Sequence, residues 1–385
     1  MINRAAEQLV GLPTIATPAT SRRRKSLSTH YASNNEEDVF LYAKTLFDTK
    51  EFSRAAFSLA KCHEPKSVFL RLYSRLLAAE SHCGLQNESY SQGQLDQDLK
   101  RTCIEIEREL LQRMASQDKI TVGSSPRQQQ SQAGNVDSQG TDGFLLYLLG
   151  VVCAKLKKPT AKDYLVQAVV TYPYNWSAWT ELAACFSHFE EVASLLPKLP
   201  ADFMTNAFHI HLANQLHQRN ELTLVQINEM AKECPNSRFV QLQRGIYHHN
   251  ARTFDEAEAV FDEIVQLDPF IVDSMDVYSN VLYCKKLVCK LSSLANRLSL
   301  TNKYRPETCM AIANYYSLKA DHEKAIKYFE RAFKLDNSYS PALTLMGHEY
   351  LELSNGTAAI EVYRKAIGKS TYSPIIFIIS TMYCD

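Results

Sequence analysis

Polar side chains that suit ligand binding recur at one constant interval towards the C-terminal end of the chain. Asn280, Asn314 and His348 are evenly spaced in the sequence. The same region also carries Asp273, Asp276, Tyr283 and Glu307. Carboxylates accept paired N–H groups from an arginine, amides hydrogen-bond to a peptide backbone, and a tyrosine ring offers a flat face to a cation. These residue types would suit an extended peptide.

Patterns that would indicate catalysis or metal binding are missing from the sequence. It contains no GxxxxGK[ST] phosphate loop, GxSxG nucleophile motif, HExxH metal motif or CxxC pair. His209 and His211 are two residues apart, so on a helix they point away from each other and do not share a ligand. We therefore predict a protein that is not an enzyme, with no catalytic residue, no metal site and no cofactor.

The apolar residues that must position these side chains recur at the same interval. Ala325 and Ala359 are separated by it, as are Phe329 and Tyr363. A small residue early in the second helix of a helical pair lets the two helices approach closely, and an aromatic residue four positions later fills the space beside the next pair. A period of about 34 residues is that of tetratricopeptide repeats. We therefore predict an all-α, right-handed superhelical solenoid.

A repeat frame counted from Pro306 assigns the polar residues to one surface. The frame predicts repeat starts at Met204, Arg238, Val272, Pro306, Ser340 and Pro374, with turns at Pro235 and Pro269. Positions two, five, nine and twelve of each repeat share one face of the first helix, which lines the inner groove in this class. In two successive repeats this face comprises Asp273, Asp276, Asn280, Tyr283, Glu307, Met310, Asn314 and Ser317.

Two interpretations of this face remain open from the residues alone. It is either a peptide-binding groove or a solvated surface without a ligand. Acids near a helix start, such as Asp273 and Glu307, also stabilise the helix dipole, so their presence does not by itself require a ligand.

Composition and the repeat pattern divide the chain into five predicted segments. We predict a disordered arm over residues 1–35, N-terminal repeats with an inserted helix over 36–115, a flexible loop rich in Gln, Ser and Gly over 116–141, a repeat array over 142–371, and an incomplete, divergent repeat over 372–385. The basic run at residues 22–25 in the arm is either a nuclear import signal or part of a solvated tail.

The overall composition narrows the kinds of partner. Lys plus Arg equals Asp plus Glu at 42 each, so no net charge attracts nucleic acid. The ten cysteines are scattered singly, which is typical of a reducing compartment. The apolar run at residues 375–379 is too short to span a membrane. We therefore expect an intracellular protein that binds neither nucleic acid nor membrane.

Several segments resemble one family of cell-division proteins. They are KYRPETCMAIANYYSLKADHEKAIKYFERAFKL at 303–335, TLMGHEYLEL at 344–353, DSMDVYSNVLYCKK at 273–286, DGFLLYLLGVV at 142–152 and LYAKTLFDTKEFSRAAF at 41–57. Read together, they look like the tetratricopeptide-repeat cell-division-cycle subunit, the eighth subunit, of the anaphase-promoting complex. The resemblance covers most of residues 38–370.

The resemblance implies a function. It implies a non-catalytic scaffold subunit of a multisubunit ubiquitin ligase that acts in the cell cycle, located in the nucleus and cytoplasm. Its partners would be other subunits of the complex, a second copy paired through the N-terminal repeats, and a coactivator whose short basic segment binds the groove. The competing interpretation is a repeat adaptor or co-chaperone for another peptide. An adaptor for acidic tails would need basic residues where Asp273, Asp276 and Glu307 stand.

Overall fold

The computed structural model describes residues 27–85, 92–122 and 142–369, apart from 187–189, 194, 196–198, 201, 219 and 338. Within these ranges every regular element is a helix, which confirms the all-α class. None of the described helices is both long and apolar enough to cross a membrane. The basic run at 22–25 and the segment 372–385 lie outside the described residues. The chain divides between Phe208 and His209 into two compact bodies, an N-terminal and a C-terminal one.

The N-terminal body consists of consecutive helices, and each of the first six packs on the next along the chain. They are α1 (Leu27–Asp48), α2 (Phe52–Ser58), α3 (Pro65–Leu85), α4 (Gln92–Val122), α5 (Gly143–Lys155), α6 (Ala161–Thr171), α7 (Trp176–Ala184) and α8 (Glu190–Ala193). Ala43 and Ala55, at the small positions of the first repeat, are fully buried. The inserted helix α4 is held on α3 by ion pairs from Arg71 to Glu109 and from Arg75 to Glu105.

Two predicted limits in the N-terminal half differ from the helix bounds. Helix α1 begins at Leu27, inside the arm that we predicted over 1–35, and α4 continues to Val122, beyond residue 116 where we expected the loop to begin. Residues 27–37 and 115–122 contain neither Gly nor Pro. Polar composition alone does not end a helix, because a helix normally stops at a residue that cannot continue it.

The repeat that starts at Trp176 is shortened. Between Ala184 and Phe203 the described residues include one helix, α8, of four residues. Trp179 is fully buried, and its indole N–H donates to the carbonyl of Pro173 at 2.7 Å. The tryptophan therefore holds this short repeat against the turn that precedes it.

The C-terminal body continues the array in the predicted register. Its helices are α9 (Phe203–Gln215, in which the division falls), α10 (Glu221–Glu233), α11 (Arg238–Asn250), α12 (Phe254–Leu267), α13 (Met275–Cys284), α14 (Val288–Asn302), α15 (Pro306–Leu318), α16 (His322–Leu335), α17 (Ser340–Glu352) and α18 (Gly356–Lys369). Three first helices, α11, α15 and α17, begin at the predicted residues Arg238, Pro306 and Ser340.

Small residues allow close packing within each C-terminal repeat. Ala325 and Ala359 are fully buried, and Phe329 is 1% exposed between its helical pair and the next. A Cβ atom built on Gly347 of α17 would lie 2.4 Å from a ring carbon of Tyr363 on α18. A side chain at position 347 would therefore require the Tyr363 ring to move.

The turn inside each C-terminal repeat has the same backbone conformation. Arg252, Lys286, Ala320 and Ser354, which lie at successive intervals of one repeat, have φ angles of 62°, 56°, 56° and 57°. All four lie in the left-handed region, and none is glycine. The following amide closes the turn on the end of the first helix, as from Asn355 N–H to the carbonyl of Tyr350 at 2.8 Å. The repeated conformation sets the same change of direction in every helical pair.

Candidate peptide-binding face of the C-terminal repeats

The period of the array brings equivalent positions of neighbouring first helices into contact. Helix α13 packs against α15, and Asn314 donates from Nδ2 to Asn280 Oδ1 at 2.7 Å and to Ser279 Oγ at 2.9 Å. Asn314 is 3% exposed, whereas Asn280 is half-buried. Both N–H groups of Asn314 are thus used inside the protein, and the oxygen of Asn280 is used as well. The N–H groups of Asn280 remain as donors at this point of the face.

A second contact across repeats orients Tyr283. Ser317 Oγ lies 3.2 Å from the Tyr283 hydroxyl and 2.7 Å from Glu349 Oε1. An ionised carboxylate only accepts, so Ser317 donates to Glu349 and its oxygen is free to accept the tyrosine proton. His322 Nδ1 lies 2.8 Å from the other oxygen of Glu349. Burial raises the pKa of Tyr283, which keeps the phenol protonated. Tyr283 thereby presents its ring and its oxygen lone pairs.

Carboxylates gather at the start of the same two repeats. Arg305 donates to Asp273 Oδ1 at 2.5 Å and to Glu307 Oε2 at 3.1 Å. Asp276 accepts a short hydrogen bond from the hydroxyl of Tyr339. Burial raises the pKa of Asp276, the nearby charge of Glu307 raises it further, and the bond from Tyr339 opposes this shift. Asp273 and Glu307 thus both contact the guanidinium of Arg305, whereas the hydrogen bond to Asp276 comes from a neutral donor.

The structure corrects the position of one predicted residue. Asp273 is not on the first helix of its repeat, because α13 begins at Met275 rather than at Val272. Ser274, immediately before the helix, has a φ of 60° in the left-handed region. The chain therefore turns at Ser274, and Asp273 reaches the face from the preceding turn, where it contacts Arg305.

His348 occupies the position equivalent to Asn280 and Asn314 but makes a different contact. Its Nδ1 lies 3.0 Å from the hydroxyl of Tyr363 on α18, and the two rings meet edge to face at 5.8 Å. Burial lowers the pKa of His348, so the imidazole is neutral near pH 7. Here the ninth position contacts the second helix of its own repeat.

Sequence reasoning missed four residues that shape this face. They are Arg305, His322, Tyr339 and Glu349. Glu349 is 5% exposed and stands at the tenth position of its repeat, next to the positions that we assigned to the groove. A buried glutamate needs hydrogen-bond donors inside the protein. Its place beside the predicted groove positions was the signal in the sequence that could have identified it. Arg305 and Tyr339 lie in turns, which the helical frame does not consider.

The sequence is similar to a known family over most of its length. The family model described as "Anaphase promoting complex subunit 8 / Cdc23" matches residues 5–245, and a tetratricopeptide-repeat model matches residues 306–339 and 340–368. Anaphase-promoting complex subunit 8 of Arabidopsis thaliana is 35% identical over 92% of this chain and 62% of its own length. Its Dictyostelium discoideum counterpart is 34% identical over 92% of this chain and 65% of its own length.

A human relative belongs to the same set of sequences, and a solved structure shares the fold. The human cell division cycle protein 23 homolog is 37% identical over 68% of this chain and 40% of its own length. The chain thus spans less than two thirds of the length of these relatives. The crystal structure of the APC/C hetero-tetramer Cut9-Hcn1 matches with a TM-score of 0.52 at 16% identity, covering 88% of this chain and 67% of that one. That likeness supports the repeat fold.

Proposed function

Because the chain belongs to the anaphase-promoting complex subunit 8 / Cdc23 family, we propose that it is a non-catalytic scaffold subunit of that multisubunit ubiquitin ligase. Tetratricopeptide repeats bind other proteins through stacked helices. In this proposal the protein contacts other subunits of the complex, and it holds a basic coactivator segment on the face formed by α13, α15 and α17. The same proposal expects the protein in the nucleus and the cytoplasm.

The carboxylate cluster carries the proposal for a basic ligand. Asp273 and Glu307 both form ion pairs with Arg305. The carboxyl group of Asp276 is desolvated and receives a neutral hydrogen bond from Tyr339, rather than a cation. An arginine from a peptide would relieve both the desolvation and the repulsion between Asp276 and Glu307.

The hydrogen-bond directions support a peptide in an extended conformation. Asn280 has N–H groups available for a backbone carbonyl, since its oxygen already accepts from Asn314. Tyr283 is 37% exposed, and its ring is a surface on which a guanidinium can stack. Asn280 and Tyr283 are three residues apart on α13 and share one face, about 5–6 Å apart. A backbone group and a neighbouring basic side chain can therefore bind together.

Pairing of two copies through the N-terminal body is part of the same proposal. Phe57 on α2 is 84% exposed, and Leu41 and Tyr42 on α1 are 58% and 52% exposed. Arg54 Nη2 lies 3.4 Å from the Tyr42 hydroxyl, which places α1 and α2 side by side at this point. Exposed aromatic and aliphatic groups of this size favour contact with another protein surface, and a two-fold dimer would use the surface twice.

A peptide-binding experiment tests the proposal. The probe is a fluorescent 12-residue coactivator-type peptide with two arginines, compared with the same peptide carrying neutral citrulline. We expect the arginine peptide to bind more tightly than the citrulline peptide. The double variant Asn280→Ala with Asn314→Ala should bind the arginine peptide about tenfold more weakly, and so should Asp276→Asn alone, because hydrogen bonds to charged groups contribute about 1.5–3 kcal/mol.

The control variant is Asn296→Ala, since Asn296 is an exposed residue on α14. Equal affinity for the arginine and citrulline peptides would remove the assignment of a basic ligand. Unchanged affinity in both folded variants would remove the face itself. Circular dichroism and denaturant unfolding of each variant separate loss of the face from loss of the fold.

A further inference from the structure

Large apolar side chains are exposed along the edge where successive C-terminal repeats are joined. Phe270, Leu300 and Tyr304 are 75%, 82% and 62% exposed. Phe270 and Tyr304 are one repeat apart and occupy equivalent turns. The N–H of Phe270 donates to Asp268 Oδ1 at 3.0 Å, and that of Tyr304 donates to Asn302 Oδ1 at 3.2 Å. The repeat therefore presents an aromatic ring to solvent twice in the same local geometry.

Cationic side chains accompany these rings. Lys303 Nζ lies 4.9 Å from the ring centre of Tyr304, and Arg331 Cζ lies 5.5 Å from it. Arg331 also donates to the backbone carbonyl of Lys303 at 3.3 Å, which fixes the guanidinium beside the turn. The ring and both cations thus form one surface element.

An equivalent arginine stands one repeat earlier. Arg297 on α14 occupies the position that Arg331 takes in the next repeat, and its Nη2 lies 3.9 Å from the sulfur of buried Met275. Its Nε is buried and has no hydrogen-bond partner among the described residues. Burial lowers the pKa of Arg297, while the charge of Asp268, close to Phe270 in the chain, opposes this shift. The contact with Met275 places Arg297 beside the start of α13, the helix that follows the turn carrying Phe270.

The cations of this edge form no direct ion pair with a described carboxylate. Arg297, Lys303 and Arg331 form no ion pair in the part of the chain that the structure describes. The lysines near the start of α14 behave differently, because Lys285 is paired with Glu258 and Lys290 with Asp262 at 2.8 Å. Unpaired cations beside exposed apolar groups mark a surface whose electrostatic complement is not supplied by these residues.

We propose that this turn edge, formed by Phe270, Arg297, Leu300, Lys303, Tyr304 and Arg331, is a docking surface for an acidic peptide segment of a protein partner. Carboxylates of the partner pair with the three cations, and its apolar side chains cover Phe270, Leu300 and Tyr304. Charge complementarity selects an acidic partner. The three exposed apolar groups select a peptide, because a phosphate backbone would leave Leu300 without an apolar counterpart. The turn edge does not depend on the binding face for basic peptides.

A binding measurement on the full chain tests the proposal. The probe is a fluorescent 14-residue peptide of Asp and Glu with Leu and Phe at every third or fourth position. Its two controls replace the acids by Asn and Gln, or the apolar residues by Ser. We expect the probe to bind, and both control peptides to bind at least about tenfold more weakly. The affinity for the probe should fall as the salt concentration rises.

Protein variants locate the contact. Leu300→Ser with Tyr304→Ser removes two exposed side chains, and we expect the dissociation constant to rise about tenfold or more, as for anchors at an interface centre. The matched control is Leu222→Ser with Val225→Ser on α10, since Leu222 and Val225 are 66% and 51% exposed. Affinity for the basic peptide should stay unchanged in the turn-edge variant, which separates this proposal from the function proposed above.

Each other outcome overturns the proposal. Failure of the acidic probe to bind, or equal binding by the turn-edge and control variants, removes the docking surface. Equal binding by the probe and its Ser-substituted form shows a purely electrostatic surface, and tighter binding of an oligouridylate than of the probe assigns it to nucleic acid instead. Denaturant unfolding verifies that the serine variants remain folded.

Discussion

Asn314 offers a direct test of how neighbouring repeats are joined. The side chain is 3% exposed and donates to Asn280 Oδ1 and Ser279 Oγ at 2.7 and 2.9 Å. Asn314→Ala removes both bonds, each with a net contribution of about 0.5–1.5 kcal/mol, so the free energy of unfolding should fall by about 1–3 kcal/mol. Asn280→Ala removes one bond at a half-buried position and should lower it by no more than about 1.5 kcal/mol.

A double-mutant cycle isolates the contact between the two amides. Urea unfolding is followed by circular dichroism for the parent, both single variants and the double variant, with the exposed Asn296→Ala as the control. We expect a coupling free energy of about 0.5–1.5 kcal/mol between Asn280 and Asn314, within the range for residues in contact. The double variant should therefore lose less than the sum of the single losses.

Two results would refute this reasoning. If Asn314→Ala were no more destabilising than Asn296→Ala, the buried amide would not hold the repeats together. If the losses of the single variants were simply additive, the 2.7 Å contact between the two amides would have no energetic meaning. Additivity is the rule for distant sites and the exception for residues that share a hydrogen bond.

Two further predictions concern packing and pH. Gly347→Ala should destabilise the protein by about 1–3 kcal/mol, because the new Cβ meets the Tyr363 ring, which is also hydrogen-bonded to His348. The control is Gly356→Ala, which has open space around the new Cβ. It should be neutral or stabilising by up to about 1 kcal/mol in thermal or urea unfolding. Burial raises the pKa of Asp276 in the folded protein. The free energy of unfolding therefore falls as pH rises above the ordinary aspartate pKa of about 3.9, because the buried carboxyl group must ionise. Asp276→Asn removes this cost and should stabilise the protein at pH 7. The gain should vanish towards pH 3 in urea unfolding, and a gain that did not change with pH would contradict a desolvated carboxylate.

The repeat frame predicted the fold well because one physical requirement recurs in every repeat. Two helices approach closely only where a small residue stands, and Ala325 and Ala359 at those positions are fully buried. Proline excludes helix, so the turns at Pro235 and Pro269 also followed from the sequence. Residues 27–37 show the limit of composition, since their polar character suggested an arm and the structure has a helix there.

The candidate site was harder to predict because its geometry depends on contacts across repeats. The frame brought Asn280 and Asn314 together, but it gave no indication that Asn314 uses both N–H groups internally. Arg305 and Tyr339 reach the carboxylates from turns, where helical periodicity has no meaning. The left-handed Ser274 displaced Asp273 from α13, and a serine carries no clear signal for that conformation. A basic ligand on this face remains a prediction.

The four left-handed turn residues have a consequence for how the repeat array unfolds. A residue other than glycine in this conformation is disfavoured by roughly 1–2 kcal/mol, and Arg252, Lys286, Ala320 and Ser354 all adopt it. The turns are therefore held in their conformation by the helices on either side. When one helical pair loosens, its turn relaxes and works against reassembly of that pair. Each repeat should consequently be lost as a whole rather than by gradual fraying from its turn.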